Sequence, residues 1–308
     1  MTWTPDALAH HLSTGLLSFP VTAFDDSLEV DEDRYREHLA WQAEFDVVGL
    51  FAAGGTGEGF SLSESEVERV VNIAVSEVGN KLPVMAPALG STVQAVAQAQ
   101  FAERSGAAGI LLFPPYLTEG GQAGLIERVS AVCRATSLGV IVYNRANGIL
   151  NDVSIAVLAD RHSNLIAVKD GVGNIELITR IFARLGDRLM YIGGLPTAET
   201  FALPMLQLGV TTYSSAIYNF APAFALEFYS AVRARQNDEV YRLLRDFVLP
   251  YTAIRDRVPG YAVSIIKAGL KVIGRNVGSV RSPLQDLTEG DLSDLASLFA
   301  TARIGGFE

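Results

Sequence analysis

The strongest constraint on the fold is a regular alternation along the chain between short apolar runs and segments with helical signals. Eight apolar runs of four to seven residues each end in glycine, proline or small polar residues. The runs are continuously apolar rather than alternating, which is typical of parallel strands covered on both faces. The predicted strands span 15–19, 47–53, 82–87, 109–114, 139–143, 166–169, 189–192 and 211–215.

A helical segment follows each of these runs. Helix-start signals support several segments, such as Ser63 ahead of Glu64 and Glu66. Eight strand–helix units in a row predict an α/β fold of the (β/α)8 TIM-barrel type, since the competing doubly wound sheet has about five or six strands. The predicted helices span 31–45, 63–78, 91–105, 122–136, 152–161, 174–186, 197–208 and 221–235.

The chain continues well beyond the eight units. Three more helical segments are predicted at 238–256, 260–274 and 288–303, with no linker rich in glycine, serine or proline before them. We therefore expect a barrel that carries the active site over 1–236 and a C-terminal three-helix extension packed on it over 237–308.

Composition excludes several classes of protein. The net charge of −10 opposes binding to a nucleic-acid backbone, and 49% hydrophobic with 19% charged residues excludes a disordered chain. The single cysteine, Cys133, excludes an internal disulfide and suits a reducing compartment. The polar residues Asp6 and His10 argue against a signal peptide, and no apolar stretch is long enough to span a membrane. No cluster has metal-ligand spacing, so we expect no metal. The cysteine count and the lack of a signal or membrane segment predict a cytoplasmic protein.

The ends of the predicted strands carry the candidate chemistry, because TIM-barrel active sites lie at that face. Lys169, one of only four lysines, emerges from the apolar strand 166–169. Burial lowers the pKa of a lysine, and the neutral amine can attack a ketone to form a Schiff base. The alternative is an ion pair with Asp170. Tyr143 ends the preceding strand and could pass protons beside that amine, which favours the chemical interpretation over a packed aromatic.

Two further strand ends suggest anion binding. Arg145 follows Tyr143, and its guanidinium could clamp a carboxylate, although an exposed surface arginine is the alternative. The turn 54–58 is rich in glycine, so its backbone N–H groups could hold a carboxylate or phosphate. It lacks the Gly-Lys-Ser/Thr of a phosphate-binding P-loop, and alone it could be only a tight turn.

Taken together, these strand ends resemble the dihydrodipicolinate synthase and N-acetylneuraminate lyase superfamily of class I Schiff-base barrels, over almost the whole chain. By this resemblance Lys169 is the Schiff-base lysine, Tyr143 the proton-handling phenol, and Gly55 with Thr56 the seat of a 2-oxo acid carboxylate. The carrying segments are Gly54-Gly55-Thr56-Gly57-Glu58, Pro114-Pro115-Tyr116, Tyr143-Asn144, Lys169-Asp170-Gly171 and Ile266-Lys267-Ala268-Gly269.

Three departures argue against the synthases themselves. Gly55 and Leu117 stand where the synthases carry a hydroxyl residue and a tyrosine that reaches the neighbouring subunit, and Gly148 stands where they carry a substrate arginine. The chain is most similar to the 5-dehydro-4-deoxyglucarate dehydratase family. The segments that carry this similarity are 15–22, 51–58, 143–145, 193–199, 213–216 and 260–264.

That similarity implies a decarboxylating hydro-lyase of sugar-diacid (glucarate) catabolism. It would convert 5-dehydro-4-deoxy-D-glucarate to 2,5-dioxopentanoate, water and CO₂ through a lysine Schiff base, with no metal or organic cofactor. Arg145 is a hypothesis for the distal carboxylate, and Thr197, Ser214 and Ser215 are candidates for the substrate hydroxyls. The superfamily implies a homo-oligomer, a tetramer built as a dimer of dimers. Two alternatives stay open: a class I 2-oxo-3-deoxy acid aldolase, and a catalytically inactive 2-oxo acid binding protein.

Overall fold

Eight parallel strands close into one barrel in the computed structural model, which describes residues 3–304. The strands follow one another around the barrel in chain order, and β1 pairs with β8 to close it. They are β1 (Leu16–Ser18), β2 (Val47–Phe51), β3 (Val84–Ala88), β4 (Gly109–Leu112), β5 (Gly139–Asn144), β6 (Leu165–Asp170), β7 (Met190–Gly193) and β8 (Thr212–Ser215). The predicted TIM barrel is confirmed, and each predicted strand overlaps an observed one.

A helix follows every strand on the outside of the barrel. Local capping explains where some of them begin: the Ser63 hydroxyl accepts a hydrogen bond from the Glu66 N–H, and the Glu66 carboxylate accepts one from the Ser63 N–H. The helices are α2 (Glu32–Gln42), α3 (Glu64–Val78), α4 (Thr92–Ser105), α5 (Gln122–Ala135), α6 (Asp152–Arg161), α7 (Ile175–Leu185), α8 (Glu199–Leu206) and α9 (Pro222–Arg233).

The barrel wall separates two hydrophobic cores. Successive strand side chains point to opposite faces, so on β1 Leu17 joins Met85 and Ile141 in the barrel interior, while Leu16 packs in the outer core beneath the helices. Ser18 therefore turns outward again, where its side chain is buried. The same parity decides which strand-end side chains face the mouth of the barrel.

A helix that the sequence analysis did not predict closes the opposite end of the barrel. This helix, α1 (Pro5–Leu12), begins after Thr4, whose hydroxyl accepts a hydrogen bond from the Ala7 N–H. Its buried Leu8 and Leu12 belong to the interior core. The N-terminal end of the barrel is therefore filled with apolar side chains.

Beyond the barrel the chain is helical, as predicted. The segment predicted at 238–256 consists of α10 (Asn237–Leu243), a π-helical turn (Leu244–Val248) and α11 (Leu249–Arg255), and it is followed by α12 (Tyr261–Val272) and α13 (Glu289–Ala302). The extension packs on the barrel through aromatic rings: the Phe299 ring centre lies 5.1 Å from that of Phe220, and the Phe247 ring centre lies 4.8 Å from that of Phe224 on α9. Within residues 3–304, no helix has the length and apolarity needed to cross a bilayer.

Candidate active site

Two neighbouring strands bring Lys169 and Tyr143 together at the mouth of the barrel. The two residues are direct partners in the register of β5 and β6. The Lys169 side chain is 4% exposed, and its Nζ lies 4.1 Å from the Phe19 ring centre and 4.2 Å from the Tyr143 ring centre. The amine therefore lies between two aromatic rings, in surroundings that disfavour a charge.

The environment of Lys169 makes its amine nucleophilic near neutral pH. Burial, aided by the positive charge of Arg145, lowers the pKa of Lys169 to about 7. The alternative ion pair with Asp170 does not form, because that carboxylate turns to its own loop and accepts hydrogen bonds from the Val172 and Gly173 N–H groups at 3.0 Å. The neutral form of Lys169 is therefore populated near pH 7, where a nucleophilic amine is available.

Tyr143 holds its proton between two partners. Its Oη donates to the Gly194 carbonyl at 2.9 Å and accepts a hydrogen bond from Arg145 Nη1 at 3.0 Å. Burial raises the pKa of the Tyr143 phenol above its usual value, and the adjacent Arg145 opposes that rise. The guanidinium of Arg145 is thus directed at the phenol, and it would stabilise a phenolate if one formed during a reaction.

Two glycines leave room for this pair. A Cβ on Gly194 would lie 2.7 Å from both Cγ and Cε of Lys169, and one on Gly171 would lie 2.7 Å from Cε2 of Tyr143. Any side chain at either position would displace the amine or the phenol. These close approaches explain why glycine occupies both strand-end positions.

A cavity of about 470 Å³ opens above these groups. Within the described part of the chain its lining contains three basic side chains, Lys169, Arg145 and Arg255, and no carboxylate. The protein as a whole carries a net charge of −10. A strongly acidic protein has therefore concentrated positive charge in one pocket, which suits an anionic ligand.

The other predicted site residues divide into two groups. Gly55, Thr56, Thr197 and Ser214 line the cavity, and a Cβ on Gly55 would meet nothing within 4 Å. Ser215 also borders the cavity, but its fully buried side chain lies on the outward face of β8.

The outward position of Ser215 is explained by a carboxyl group that the sequence analysis did not single out. The Ser215 hydroxyl donates to Glu199 at 2.5 Å and accepts a hydrogen bond from the Tyr218 N–H at 3.1 Å. Burial raises the pKa of Glu199 to about 7. The Ser215 hydroxyl therefore links β8 to α8 and does not point into the cavity.

Arg255 is the functional candidate that the sequence analysis missed. It ends α11 in the C-terminal extension and reaches into the barrel mouth, where Nη1 donates to the Pro196 carbonyl at 3.0 Å and to Thr197 Oγ1 at 2.5 Å. The only local hint in the sequence is the adjacent Asp256, because a neighbouring carboxylate can fix the orientation of a guanidinium. Nothing in the local pattern indicates where α11 docks.

No metal site is apparent among residues 3–304, where no three His, Cys, Asp or Glu side chains are grouped so as to hold an ion. Cys133 is buried, and burial raises the pKa of its thiol to about 12. A thiol that remains protonated is a poor nucleophile. Cys133 does not line the cavity, and its protonated thiol is not suited to act as a nucleophile.

Comparison with known proteins gives the family. The model of the dihydrodipicolinate synthetase family matches residues 12–302. A curated relative from Pseudarthrobacter chlorophenolicus, named "Probable 5-dehydro-4-deoxyglucarate dehydratase", is 64% identical over 299 residues, which cover 97% of this chain and 98% of that protein. A relative of the same name from Corynebacterium glutamicum is 57% identical over 305 residues, covering 99% and 96%. The predicted similarity to that dehydratase family is confirmed.

Solved structures agree on the architecture. The dihydrodipicolinate synthase of Bacillus clausii superposes with a TM-score of 0.89 at 24% identity, covering 96% of this chain and 100% of the other. That of Oceanobacillus iheyensis gives 0.90 at 21% identity, covering 97% and 99%. At these identities the likeness establishes the fold alone. The match of the family model and the identity to the curated relatives go further: the chain belongs to the dihydrodipicolinate synthetase family.

Proposed function

We propose that the chain is a lyase that dehydrates and decarboxylates 5-dehydro-4-deoxy-D-glucarate to 2,5-dioxopentanoate, water and CO₂. The observation that carries the proposal is the cavity, which joins a buried amine of lowered pKa to two arginines and has no carboxylate in its described lining. Such a pocket suits a substrate with a ketone for the amine and two carboxylates. The curated relatives bear the name of this activity.

Schiff-base formation is the first step. We propose that the neutral amine of Lys169 attacks the ketone, and that Gly55 and Thr56 hold the adjacent carboxylate. Tyr143 then donates its phenol proton to the carbinolamine hydroxyl, which leaves as water and gives an iminium. The phenolate that remains is 3.0 Å from the Arg145 guanidinium, which stabilises it.

Elimination and decarboxylation follow on the same lysine. The Tyr143 phenolate removes a proton from the CH₂ next to the iminium carbon, forming an enamine. The enamine expels the hydroxyl one carbon further on, and Tyr143 returns the proton so that water leaves. Loss of CO₂ from the distal carboxylate sends the bonding pair into the conjugated iminium and leaves a neutral dienamine that carries an enol hydroxyl. A proton from solvent adds to the carbon next to the lysine-bound carbon and restores the iminium. Water then hydrolyses the iminium, the proton released returns Tyr143 to the phenol, and the enol tautomerises to the aldehyde of the product. Overall, the dianion and one proton give the product monoanion, water and CO₂.

Product analysis with the six-carbon diacid tests the proposed reaction. We expect CO₂ and 2,5-dioxopentanoate in equal amounts, measured by headspace gas analysis and by mass spectrometry of the derivatised semialdehyde. Release of pyruvate without CO₂ would instead identify the 2-oxo-3-deoxy acid aldolase. Binding without turnover and without borohydride trapping would identify an inactive 2-oxo acid binding protein.

The pH dependence of Schiff-base formation follows from the lowered pKa of Lys169. Because only the neutral amine attacks, the rate of borohydride trapping with pyruvate should fall about tenfold per pH unit below pH 6 and level off above about pH 8. The midpoint should lie near pH 7. Arg145→Ala should move the midpoint to higher pH, because it removes a positive charge that disfavours the ammonium. A rate that does not change between pH 5.5 and 8 would contradict this account.

Arg145 can be tested separately from Lys169. If its guanidinium stabilises the Tyr143 phenolate, Arg145→Ala should lower kcat about 10- to 100-fold and change KM less than about threefold. Steady-state kinetics with the diacid measures both constants. Arg180→Ala, which removes an exposed arginine of α7, is the matched control. A rise in KM with kcat preserved would instead support the hypothesis that Arg145 clamps the distal carboxylate.

Assembly and location remain proposals. We propose a homo-oligomer, a tetramer formed from two dimers, and the exposed apolar side chains in the loop after β4 support it: Tyr116 is 94% exposed and Leu117 56%. Light scattering coupled to size-exclusion chromatography measures the oligomeric state. The catalytic unit over 1–236, the extension over 237–308 and a cytoplasmic location likewise stay predictions.

A further inference from the structure

Thr197 has a backbone conformation that needs an explanation. It follows β7 at the cavity wall and has φ of +52°, in the left-handed region that β-branched residues rarely adopt. Its side chain is almost fully buried. Strained residues that persist at a site boundary are held by their surroundings and are concentrated at functional sites.

The surroundings that hold Thr197 come from the C-terminal extension. Arg255 at the end of α11 donates from Nη1 to both Thr197 Oγ1 and the Pro196 carbonyl. The rest of the guanidinium is fixed from the other side, because the Asp256 carboxylate accepts from Nε at 2.8 Å and from Nη2 at 3.0 Å. The Arg255 side chain thus has one orientation, defined by four hydrogen bonds.

This contact sets the direction of the hydrogen bond that Thr197 can make. A hydroxyl has one proton and two acceptor lone pairs, and a guanidinium can only donate. Within residues 3–304, Arg255 is the one hydrogen-bond partner of the Thr197 hydroxyl, which therefore acts as acceptor there and keeps its proton. At the cavity wall Thr197 is then a hydrogen-bond donor, which matches a carboxylate oxygen.

We propose that Thr197 donates its hydroxyl hydrogen bond to the distal carboxylate of the diacid, and that Arg255 is the positioning residue that fixes Thr197 for this contact. The inference rests on the proposed function. It also resolves a chemical difficulty, since the distal carboxylate must leave as CO₂. A guanidinium bound directly to the carboxylate would stabilise its negative charge, which disappears in the transition state, and would therefore raise the barrier to loss of CO₂. A neutral hydroxyl stabilises that charge much less. The bidentate pairing with Asp256 further reduces the field of Arg255.

Borohydride trapping with two probes tests the proposal without requiring turnover. Pyruvate has only the reacting end of the substrate, whereas 2-oxoadipate has the same six-carbon skeleton with a distal carboxylate. We expect Arg255→Met and Thr197→Val each to raise the half-saturating concentration of 2-oxoadipate about tenfold and that of pyruvate less than about twofold. The double variant should match the single ones, because the two residues act as a unit.

Matched variants separate positioning from folding. Arg245 forms a similar pair with the next residue, Asp246, but its side chain is 71% exposed, so Arg245→Met should leave both probes unchanged. Thr197→Ser keeps the hydroxyl, so its half-saturating concentration of 2-oxoadipate should stay within about threefold of the wild-type value. The comparison of Thr197→Ser with Thr197→Val tests the role of the hydroxyl even if Arg255→Met does not fold. The proposal is overturned if both probes weaken equally, if the effects of the two substitutions add, or if 2-oxoadipate is unaffected. A wild-type protein that traps both probes but releases no CO₂ from the diacid would refute the proposed function alone.

Discussion

Lys169→Met is expected to abolish turnover and, at the same time, to make the folded protein more stable. Loss of the amine removes the covalent intermediate, so kcat should fall by at least about 10⁴-fold. The side chain that replaces it is unbranched, of similar length and apolar, and it fits between the rings of Phe19 and Tyr143 where Nζ now lies. The two effects have one cause, the burial of an ionisable group.

The stability gain depends on pH in a defined direction. Burial lowers the folded-state pKa of Lys169 to about 7, below its value in the unfolded chain, so the folded protein binds fewer protons in the interval between the two values. The destabilisation due to Lys169 is greatest below about pH 7 and declines as the pH rises towards about 10.4. Methionine should raise the free energy of unfolding by roughly 2–5 kcal/mol at pH 6 and by less at pH 9.

Urea unfolding of wild type and Lys169→Met at both pH values measures this difference. Lys81→Met, which replaces an exposed lysine outside the barrel mouth, controls for the loss of a positive charge. Equal stability of wild type and Lys169→Met at pH 6 would mean that the amine is well solvated, and the nucleophile would then need another source of activation.

Lys267→Met is expected to have the opposite effect and to destabilise the protein strongly. The side chains of Lys267 on α12 and Glu58 in the turn after β2 are almost completely buried, with 2.7 Å between Nζ and Oε1. Lys267 also donates to the Ser279 carbonyl at 2.8 Å, and Glu58 accepts from the Arg281 N–H at 2.9 Å. Removing the lysine leaves a buried carboxylate without its partner, which costs about 3–5 kcal/mol.

The loss should also weaken the active site, because Glu58 has φ of +55° and terminates the turn that contains Gly55 and Thr56. Thermal and urea unfolding measure the stability. The half-saturating pyruvate concentration measures how well the turn binds the carboxylate next to the ketone, and it should rise in Lys267→Met. Lys271→Met, one turn later on α12 and exposed, should change stability by less than about 0.5 kcal/mol. Adding Glu58→Gln to Lys267→Met should recover part of the loss, since the uncompensated charge is gone. A Lys267→Met variant as stable as wild type would refute the structural role of the pair.

The barrel and its central pair of residues were predictable because they depend on regularities of the chain. Parallel strands covered on both faces must be continuously apolar, and closure places the ends of β5 and β6 side by side, so Tyr143 and Lys169 could be brought together from their positions alone. The scarcity of lysine also proved informative. Of the four lysines, the structure buries Lys169 without an ion pair and Lys267 with one.

The remaining features depend on packing that local patterns do not encode. The outward direction of Ser215 follows from the parity of β8, and a shift of one residue in the predicted strand would have reversed it. Arg255 reaches the cavity from a helix outside the barrel, and its place is set by how α11 docks. Helix α1 is only eight residues long, and what stabilises it is its contact with the barrel interior rather than a strong helical pattern.

The central claim is that Lys169 forms the Schiff base, and trapping followed by peptide mapping tests it most directly. The protein is incubated with the six-carbon diacid and borohydride, and the mass of the intact chain and of its peptides is measured. We expect one adduct per chain, located on Lys169 and absent from Lys169→Met. An adduct on Lys81, Lys267 or Lys271 with Lys169 unmodified, or turnover that persists in Lys169→Met, would contradict the account.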